Sequence, residues 1–308
     1  MTVRSRRIRR RTLVAGLVAI AALVAVSAVA VNAFEVRDKL GNLERKIELL
    51  IDPPPDRAIA AAVRVTPEPE GEDEEIIEEP TVAPSLEAGE SAPPAPTATP
   101  RPQKVKVDVN LLNKPDKWFI SQLDKEACAV AGTQMVLALH GKGNLSESFQ
   151  QEIESRIGEW ESRRDSLNGG WGPAAMVNAL EAYGVQGYEV RAYDTRGLAL
   201  RDAAKAISKF HAPVILLSWR GAHTWVMTGY RADADPLVFK SAKVSGAYIL
   251  DPWYPRVSSI WGASDPPGGY QDAAEMRRNF LAWKRPEGNY PDRDGLFIAV
   301  VPTQVLNR

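Results

Sequence analysis

Residues 122–137 read QLDKEACAVAGTQMVL, and they contain the only cysteine of a 308-residue chain. Apolar side chains from Ala127 onward cover most of a helix surface, which predicts a helix over residues 124–139 that is enclosed by protein. Cys128 would lie near the N-terminus of this helix. A thiol in that position is a candidate nucleophile, because the positive end of a helix dipole lowers its pKa.

Charge is distributed unevenly along the chain, although 38 basic and 39 acidic residues nearly balance. Six arginines and no acidic residue occur in residues 1–11, whereas residues 52–104 contain twelve acids and four bases. The composition argues against a nucleic-acid-binding protein, because 7% of the residues are aromatic and no domain is broadly basic. The arginine-rich head is better explained by the segment that follows it.

Residues 13–34 form an uncharged stretch of 22 residues that is long enough to cross about 30 Å of hydrocarbon as a helix. We predict a transmembrane helix here, with residues 1–12 as a cytoplasmic basic head and everything downstream outside the cytoplasm. Secretion after signal cleavage near Ala33 is the alternative, although the apolar stretch exceeds the about 7 to 15 residues usual for signal peptides. In both interpretations, the rest of the chain lies outside the cytoplasm.

Two segments connect the predicted span to the rest of the chain. In residues 35–51, apolar residues recur at intervals of four and three, which indicates a short juxtamembrane helix. Weak dimerisation through residues 36–50 is the alternative. Residues 52–104 contain twelve prolines and an acidic run, without apolar periodicity. This composition predicts a disordered stalk.

The remaining 204 residues, 105–308, are enough for one globular domain with a full core. Apolar spacing predicts helices in the first half of this domain and strands in the second half. This order is typical of an α+β fold in which a helical layer packs on a mostly antiparallel sheet. The predicted strands are 105–109, 188–193, 214–219, 223–230, 247–251 and 296–301, and the predicted helices are 124–139, 145–160, 172–184 and 200–210.

His223 is the one histidine of three whose surroundings suggest more than a structural role. It begins an apolar predicted strand, where a histidine needs a polar partner. The next predicted strand ends at Asp251, and Pro252 stops the strand immediately afterwards. If the two strands pair antiparallel, the start of one lies beside the end of the other. His223 and Asp251 are then neighbours.

A thiol at a helix N-terminus, an imidazole and a carboxylate are the groups of a thiol peptidase. The thiolate of Cys128 would attack, His223 would transfer protons, and Asp251 would hold the imidazole tautomer. Gln122 would donate an amide hydrogen to the developing oxyanion. These four residues are the predicted catalytic site.

Five further residues bear on this site. Asp124 and Glu126 oppose the prediction, because negative charge near the helix terminus raises the pKa of the thiol unless both side chains point to solvent. Trp219, Trp225 and Trp253 are candidates for a substrate cleft, and the alternative is that they pack in the core.

No Cys/His cluster with metal-ligand spacing occurs in the sequence, so we expect no metal and no cofactor.

The segments QLDKEACAVAGTQMVL, PVILLSWRGAHTWVMTGY and AYILDPWYP resemble, in order and spacing, the bacteriocin-processing (double-glycine leader) peptidase-like family of the papain-like cysteine peptidase superfamily. The resemblance covers essentially residues 105–308 and implies a papain-like fold. It implies that Cys128 is the nucleophile, His223 the base and acid, and Asp251 its orienting carboxylate. It also implies that Gln122 is the oxyanion donor.

The chain departs from the family pattern at two positions. Ala129 replaces the usual glycine after the cysteine, and Thr224 is an extra residue between the histidine and the following tryptophan. The first change could tighten the oxyanion side of the site. The second could shift the strand register by one residue and turn His223. The chain shows no transporter or ATPase segment, so we do not expect leader removal during secretion.

These observations lead to one leading hypothesis and two alternatives. The leading hypothesis is a membrane-anchored, extracytoplasmic cysteine peptidase that cleaves peptide or isopeptide bonds in a peptide or protein substrate. The first alternative is a catalytically inactive papain-like module that binds at the cell envelope. The second is an acyl or amide transferase, because an amine can capture a thioester intermediate in place of water.

Overall fold

The structure, a computed structural model, describes residues 55–67, 102–166, 171–284 and 290–305. The basic head, the membrane helix, the juxtamembrane helix and the dimerisation element predicted before residue 52 lie outside the described residues. Within the described ranges, no helix has the length and apolar character needed to cross a membrane.

Most helices lie in the first half of the domain, as predicted. The predicted helix over residues 145–160 is divided into two, and the first part begins where the Ser146 hydroxyl accepts a hydrogen bond from the backbone N of Phe149 at 3.1 Å. The last helix was not predicted. The helices of the described residues are α1 (Cys128–Leu139), α2 (Glu147–Ser155), α3 (Ile157–Trp160), α4 (Pro173–Ala182), α5 (Arg196–Phe210) and α6 (Ala273–Asn279), with 3-10 turns at Pro115–Trp118 and Trp219–Gly221.

The described strands form one large sheet and one small hairpin, β7–β8. The order in the large sheet is β1-β3-β10-β4-β5-β6-β9, and β2 pairs with the second half of β5. All of these pairings are antiparallel except that of β1 with β3, which agrees with the predicted sheet. The strands are β1 (Val63–Val65), β2 (Val107–Asn110), β3 (Tyr188–Tyr193), β4 (Val214–Ser218), β5 (His223–Ala232), β6 (Val244–Leu250), β7 (Val257–Ser258), β8 (Gly262–Ala263), β9 (Gly269–Asp272) and β10 (Phe297–Pro302).

Helices pack on both faces of the large sheet, which corrects the prediction of a single helical layer. Ile215 and Leu217 of β4 share a core with residues of α1 and α4, whereas Val214 and Leu216 share a second core with residues of α5. All five residues of β4 are buried. An apolar run without alternation is the sequence pattern of a strand that is covered on both faces.

β5 lies inside the sheet and carries the predicted histidine at its first position. Its register with β4 is continuous from Met227 to His223, which pairs with Ser218. The register shift predicted from the extra residue Thr224 does not occur in this pairing. The two irregularities of β5 lie on the β6 side, between Met227 and Gly229 and between Arg231 and Ala232. The extra residue therefore does not displace His223 from the start of the strand.

Residues 55–67 belong to the folded domain, so the stalk predicted over residues 52–104 is wrong for this segment. β1 adds a strand to the outer edge of β3 in parallel orientation. A three-residue strand surrounded by proline-rich sequence is too short to show a periodic pattern. Its conformation is set by pairing with β3 and not by its own residues. Residues 68–101, which connect this segment to the next one, lie outside the described residues.

Hydrogen bonds of the residues before β1 attach the same segment to the residues that follow α3. The backbone N of Arg163 donates to the Pro55 carbonyl at 3.1 Å. The Ser162 hydroxyl donates to the Arg57 carbonyl at 2.8 Å. Because Ser162 is fully buried, this second bond satisfies a hydroxyl that would otherwise be costly to bury.

A buried ion pair fixes the start of α4. Arg293 Nη2 lies 2.9 Å from Asp165 Oδ1, and the two side chains are 1% and 0% exposed. Arg293 Nη1 also donates to the Asp165 carbonyl at 3.0 Å. Asp165 Oδ2 accepts from the backbone N of Ala175 in the first turn of α4 at 2.8 Å. Each charge therefore has several partners, without which it could not be buried.

We expect Arg293→Ala to lower the free energy of unfolding by about 3–5 kcal/mol, because it leaves a buried carboxylate without its charged partner. Arg278→Ala is the matched control, since Arg278 pairs with Glu275 at an exposed position and should change the stability much less. Urea unfolding followed by tryptophan fluorescence measures both variants. Equal losses would contradict the structural role of the buried pair.

Candidate active site

α1 begins at Cys128 itself, so the thiol stands at the helix N-terminus as predicted. The N-cap residue, Ala127, provides no side-chain hydrogen bond to the first backbone N–H groups of the helix. Cys128 is partly exposed, whereas Ala129 is 3% exposed and packs in the core. Cys128 therefore lies at the edge of the core, and the methyl group of Ala129 belongs to the core.

His223 and Asp251 are neighbours, which confirms the predicted pairing of the two strands. β5 and β6 are antiparallel, with Val226 opposite Leu250, and Asp251 directly follows β6. His223 Nε2 lies 2.7 Å from Asp251 Oδ1, and the two residues are 2% and 6% exposed. Oδ1 of Asp251 also accepts from the backbone N of Trp253 at 2.9 Å. The carboxylate is therefore fixed in place beside the ring.

The thiol of Cys128 interacts with the imidazole of His223. Burial raises the pKa of the Cys128 thiol, but the hydrogen bond and charge of His223, together with hydrogen bonds from Thr224, lower the pKa more. Burial lowers the pKa of His223, but Asp251 and Cys128 outweigh it and raise the pKa to about 9. Both shifts favour a thiolate–imidazolium pair at neutral pH. Because Nε2 is bonded to Asp251, Nδ1 is the ring nitrogen left for the thiol.

Gln122 is 1% exposed and lies between the cysteine helix and the loop after β6. Its backbone N donates to the Pro252 carbonyl at 2.9 Å. Its Nε2 donates to the Asp124 carbonyl at 2.6 Å, which uses one of its two amide hydrogens. Among the described residues, no hydrogen bond is made by its second amide hydrogen or by its buried Oε1.

Asp124 and Glu126, which were predicted to oppose a thiolate, are exposed. Asp124 Oδ1 accepts from the backbone N of Glu126 at 2.7 Å and of Ala127 at 3.0 Å. These bonds hold the turn that precedes α1. Asp124 and Glu126 were expected to raise the pKa of the Cys128 thiol, but this pKa is lowered on balance.

Two of the three predicted cleft tryptophans lie beside the imidazole. Trp219 stacks on the His223 ring with a centroid distance of 4.0 Å and an interplanar angle of 20°. Its indole N donates to Asn279 Oδ1 at 3.2 Å. Trp253 meets the Trp219 and His223 rings edge-on at 6.1 and 6.3 Å. Trp219 therefore holds the plane of the His223 ring.

The third predicted cleft residue, Trp225, is 2% exposed and packs in the core on the α5 face, which corrects the prediction. A residue that sequence reasoning missed, Trp261 of the β7–β8 hairpin, stacks on Trp219 at 5.8 Å with an angle of 6°. The same hairpin exposes Val257 and Ile260. Two-residue strands leave no periodicity in the sequence that could have indicated this hairpin.

Thr224 and Gly132 fit together where β5 contacts α1. Gly132 lies one helical turn after Cys128 on the same face of α1. A Cβ atom at Gly132 would lie 2.6 Å from Cγ2 of Thr224, which is closer than packed carbon atoms approach. Thr224 is 1% exposed, and its side chain and backbone help to lower the pKa of the Cys128 thiol. The extra residue is therefore part of the surroundings of the nucleophile.

Arg256 attaches the segment before Cys128 to the loop that follows β6. Its Nη2 donates to the Leu123 carbonyl at 3.0 Å, and its Nη1 donates to the Asp124 carbonyl at 3.3 Å. Beside it, the Ser121 hydroxyl donates to the Tyr254 carbonyl. Sequence reasoning missed Arg256, because a single cation in an irregular loop carries no pattern. These bonds join the cysteine side of the site to the histidine side.

The model of the Peptidase_C39 like family matches residues 114–279, which is more than half of the chain. The matched range contains the four predicted catalytic positions, Gln122, Cys128, His223 and Asp251. A search of curated proteins finds no match to the chain. The matched model describes the family as a whole, so the resemblance to its bacteriocin-processing branch stays a prediction.

We expect Cys128 in the full chain to react with iodoacetamide rapidly at pH 7, where an ordinary thiol with a pKa of about 8.5 is mostly protonated. The lowered thiol pKa keeps the thiolate as the pH falls, until the pH passes below that pKa. His223→Ala should move the midpoint of the rate profile upward, because the hydrogen bond and charge of His223, which lower the thiol pKa against burial, are then lost. N-acetylcysteine is the control. If the parent chain shows the same midpoint as N-acetylcysteine, the thiolate–imidazolium pair is contradicted.

We expect Gly132→Ala to slow this alkylation at pH 7 and to cost about 1–3 kcal/mol of stability, because the new methyl group must displace Thr224. Thr224→Ser keeps the hydroxyl and removes Cγ2, so it should be tolerated. The double variant should therefore recover most of the reactivity lost in Gly132→Ala. Alkylation rates and thermal melting test this expectation, which fails if the second substitution restores nothing.

Proposed function

Because the chain belongs to the Peptidase_C39 like family, we propose that it is a membrane-anchored, extracytoplasmic cysteine peptidase that cleaves peptide or isopeptide bonds with Cys128, His223 and Asp251. The observation that carries the proposal is the buried His223 imidazole, which lies 2.7 Å from the Asp251 carboxylate at the start of the strand that packs against the Cys128 helix. Burying an imidazole between a thiol and a carboxylate is costly, and catalysis gives a reason for it. An inactive module has no such reason.

The geometry supports acyl transfer through a thioester. The thiolate attacks the carbonyl carbon of the scissile amide, a C–S bond forms, and the carbonyl electrons move to oxygen. The backbone N–H of Cys128 and the second Nε2 hydrogen of Gln122 donate to this oxyanion. When the intermediate collapses, the C–N bond breaks and the His223 imidazolium gives its proton to the leaving amine. Water then attacks the thioester while neutral His223 accepts its proton, and the carboxylic acid and thiolate separate.

Asp251 and Trp219 keep the imidazole ready for both proton transfers. The carboxylate accepts the Nε2 hydrogen, which leaves Nδ1 directed at the thiol and at the leaving group. The stacked Trp219 ring restricts rotation of the imidazole out of its plane, and its π face favours the imidazolium form. The same ring orientation therefore serves attack and protonation without rearrangement.

The proposed membrane attachment would place the domain close to the bilayer. Residues 13–34 are the proposed span, and residue 55 is the first residue of the domain that the structure describes. Only residues 35–54 then lie between the span and the domain, with a reach of at most about 70 Å when fully extended. The substrates of such an enzyme are peptides or proteins near the outer membrane surface. Fractionation of cells with a C-terminal epitope, with and without residues 1–34, tests this attachment.

We expect Cys128→Ala to abolish cleavage of a fluorogenic peptide library by the full chain, and Asp251→Asn to lower kcat by about 10²–10⁴ because the imidazole tautomer is no longer held. Asp265→Asn, at an exposed carboxylate, is the control. The rate of cleavage should decline above about pH 9, because His223 loses the proton that it gives to the leaving amine. Cleavage that survives Cys128→Ala would contradict the proposal.

The same assay separates the proposal from its alternatives. An inactive module cleaves nothing in the library and leaves Cys128 with the reactivity of a free thiol. A transferase shows an amide product that grows when an amine such as glycinamide is added, at the expense of the free acid. For a peptidase, the free acid remains the main product.

A further inference from the structure

Two buried glutamines, Gln134 on α1 and Gln150 on α2, are hydrogen-bonded to each other behind the segment that carries Gln122. Both residues have 0% exposure. Burying an amide is costly unless its hydrogen-bonding groups are satisfied. What these two amides are bonded to therefore indicates why they lie in the core.

Gln150 bonds to the backbone on both sides of Gln122. Its Oε1 accepts from the backbone N of Leu123 at 2.8 Å, and its Nε2 donates to the Ser121 carbonyl at 3.2 Å. The second Nε2 hydrogen donates to Gln134 Oε1 at 3.0 Å. Two of its three bonds thus hold the residues adjacent to Gln122.

The bonds of Gln134 agree with the direction that Ser121 and Leu123 already require of the Gln150 amide. The two Nε2 hydrogens of Gln134 are donated to the carbonyls of Asn144 and Ser146, each at 2.9 Å. Its Oε1 is then an acceptor only, so the group of Gln150 that faces it must be the NH2. The other group of Gln150 must be the oxygen, which suits the backbone N–H of Leu123. The network is consistent in one orientation of the two amides.

We propose that Gln150 is a positioning residue that sets the direction of the Gln122 side chain by holding the residues on either side of it. This inference rests on the proposed function, in which Gln122 donates to the oxyanion. From the opposite side, the loop after β6 holds the same segment through the Pro252 carbonyl and Arg256. Loss of Gln150 would leave the segment held from one side only.

The expected effect follows from the geometry of an oxyanion donor. Such a donor acts only when its hydrogen lies within bonding distance of the oxygen that develops charge. A misplacement of about 1 Å can cost up to about 100-fold in rate. Gln150 does not take part in the interaction between Cys128 and His223, so the reactivity of the thiol should not depend on it.

The test is a double-mutant cycle in the full chain with Gln122→Ala, Gln150→Met and the two combined. The substrate is the peptidyl-coumarin amide that the parent cleaves best in a pooled library, and kcat is counted per alkylatable Cys128 so that only folded protein contributes. We expect Gln150→Met to lower kcat by about 10- to 100-fold with little change in KM. The combined variant should be no slower than Gln122→Ala, because Gln150 acts through Gln122.

Gln134→Met is the matched control. It removes the same type of side chain from the same buried network, but it leaves the two bonds from Gln150 to Ser121 and Leu123 in place. We expect it to lower the melting temperature at least as much as Gln150→Met while reducing kcat far less. If Gln150→Met does not fold, Gln150→Glu retains an acceptor for Leu123 and should show a smaller loss with the same non-additivity.

Four outcomes would overturn the inference. Parent-like kcat in Gln150→Met, equal kcat losses in the two glutamine variants, or additive losses with Gln122→Ala would each show that Gln150 does not act through Gln122. In these cases the proposed function survives, provided that Cys128→Ala is inactive. If the parent cleaves no peptide and Cys128 alkylates like a free thiol, the proposed function fails and the inference fails with it.

Discussion

The hydrogen bond between His223 Nε2 and Asp251 Oδ1 is the interaction on which the rest of the site depends. It exists because β5 begins where β6 ends, so that two antiparallel strands bring residues 28 positions apart within 2.7 Å. Both groups are almost fully buried, and the bond therefore decides which ring nitrogen faces Cys128 and keeps the ring protonated near neutrality. The charged imidazole in turn lowers the pKa of the Cys128 thiol, against the effect of burial.

The cysteine side of the site has no strand pairing to fix it, and it is held by a different means. The segment before Cys128 is irregular, so side chains from outside bond to its backbone: Gln150 from the helical side and Arg256 from the loop after β6. These side chains bond to backbone carbonyl and N–H groups of a segment that no strand pairing holds. The accuracy of the site therefore depends on polar side chains around a loop as much as on the sheet.

The residues of the proposed triad could be located in the sequence because they lie at the ends of regular elements. Cys128 starts a helix and His223 starts a strand, so apolar periodicity placed both elements, and the single cysteine and the family resemblance drew attention to these residues. Trp225 was a candidate for the cleft but packs in the core. In an apolar strand that is covered on both faces, the sequence does not show which face lies toward the cleft. Gln150 and β1 escaped prediction for a related reason: their roles come from partners distant in the chain, and no local pattern records a partner.

The attachment of β1 to β3 also decides where a mechanical load enters the domain. A pull on the N-terminal segment acts first on the contacts of residues 55–67 and on the pairing of β1 with β3. β3, β10 and β4 separate that edge from β5, which carries His223. A force applied through the N-terminus would therefore disrupt the edge strand β1 first. The three strands between β1 and β5 separate the imidazole from that disruption.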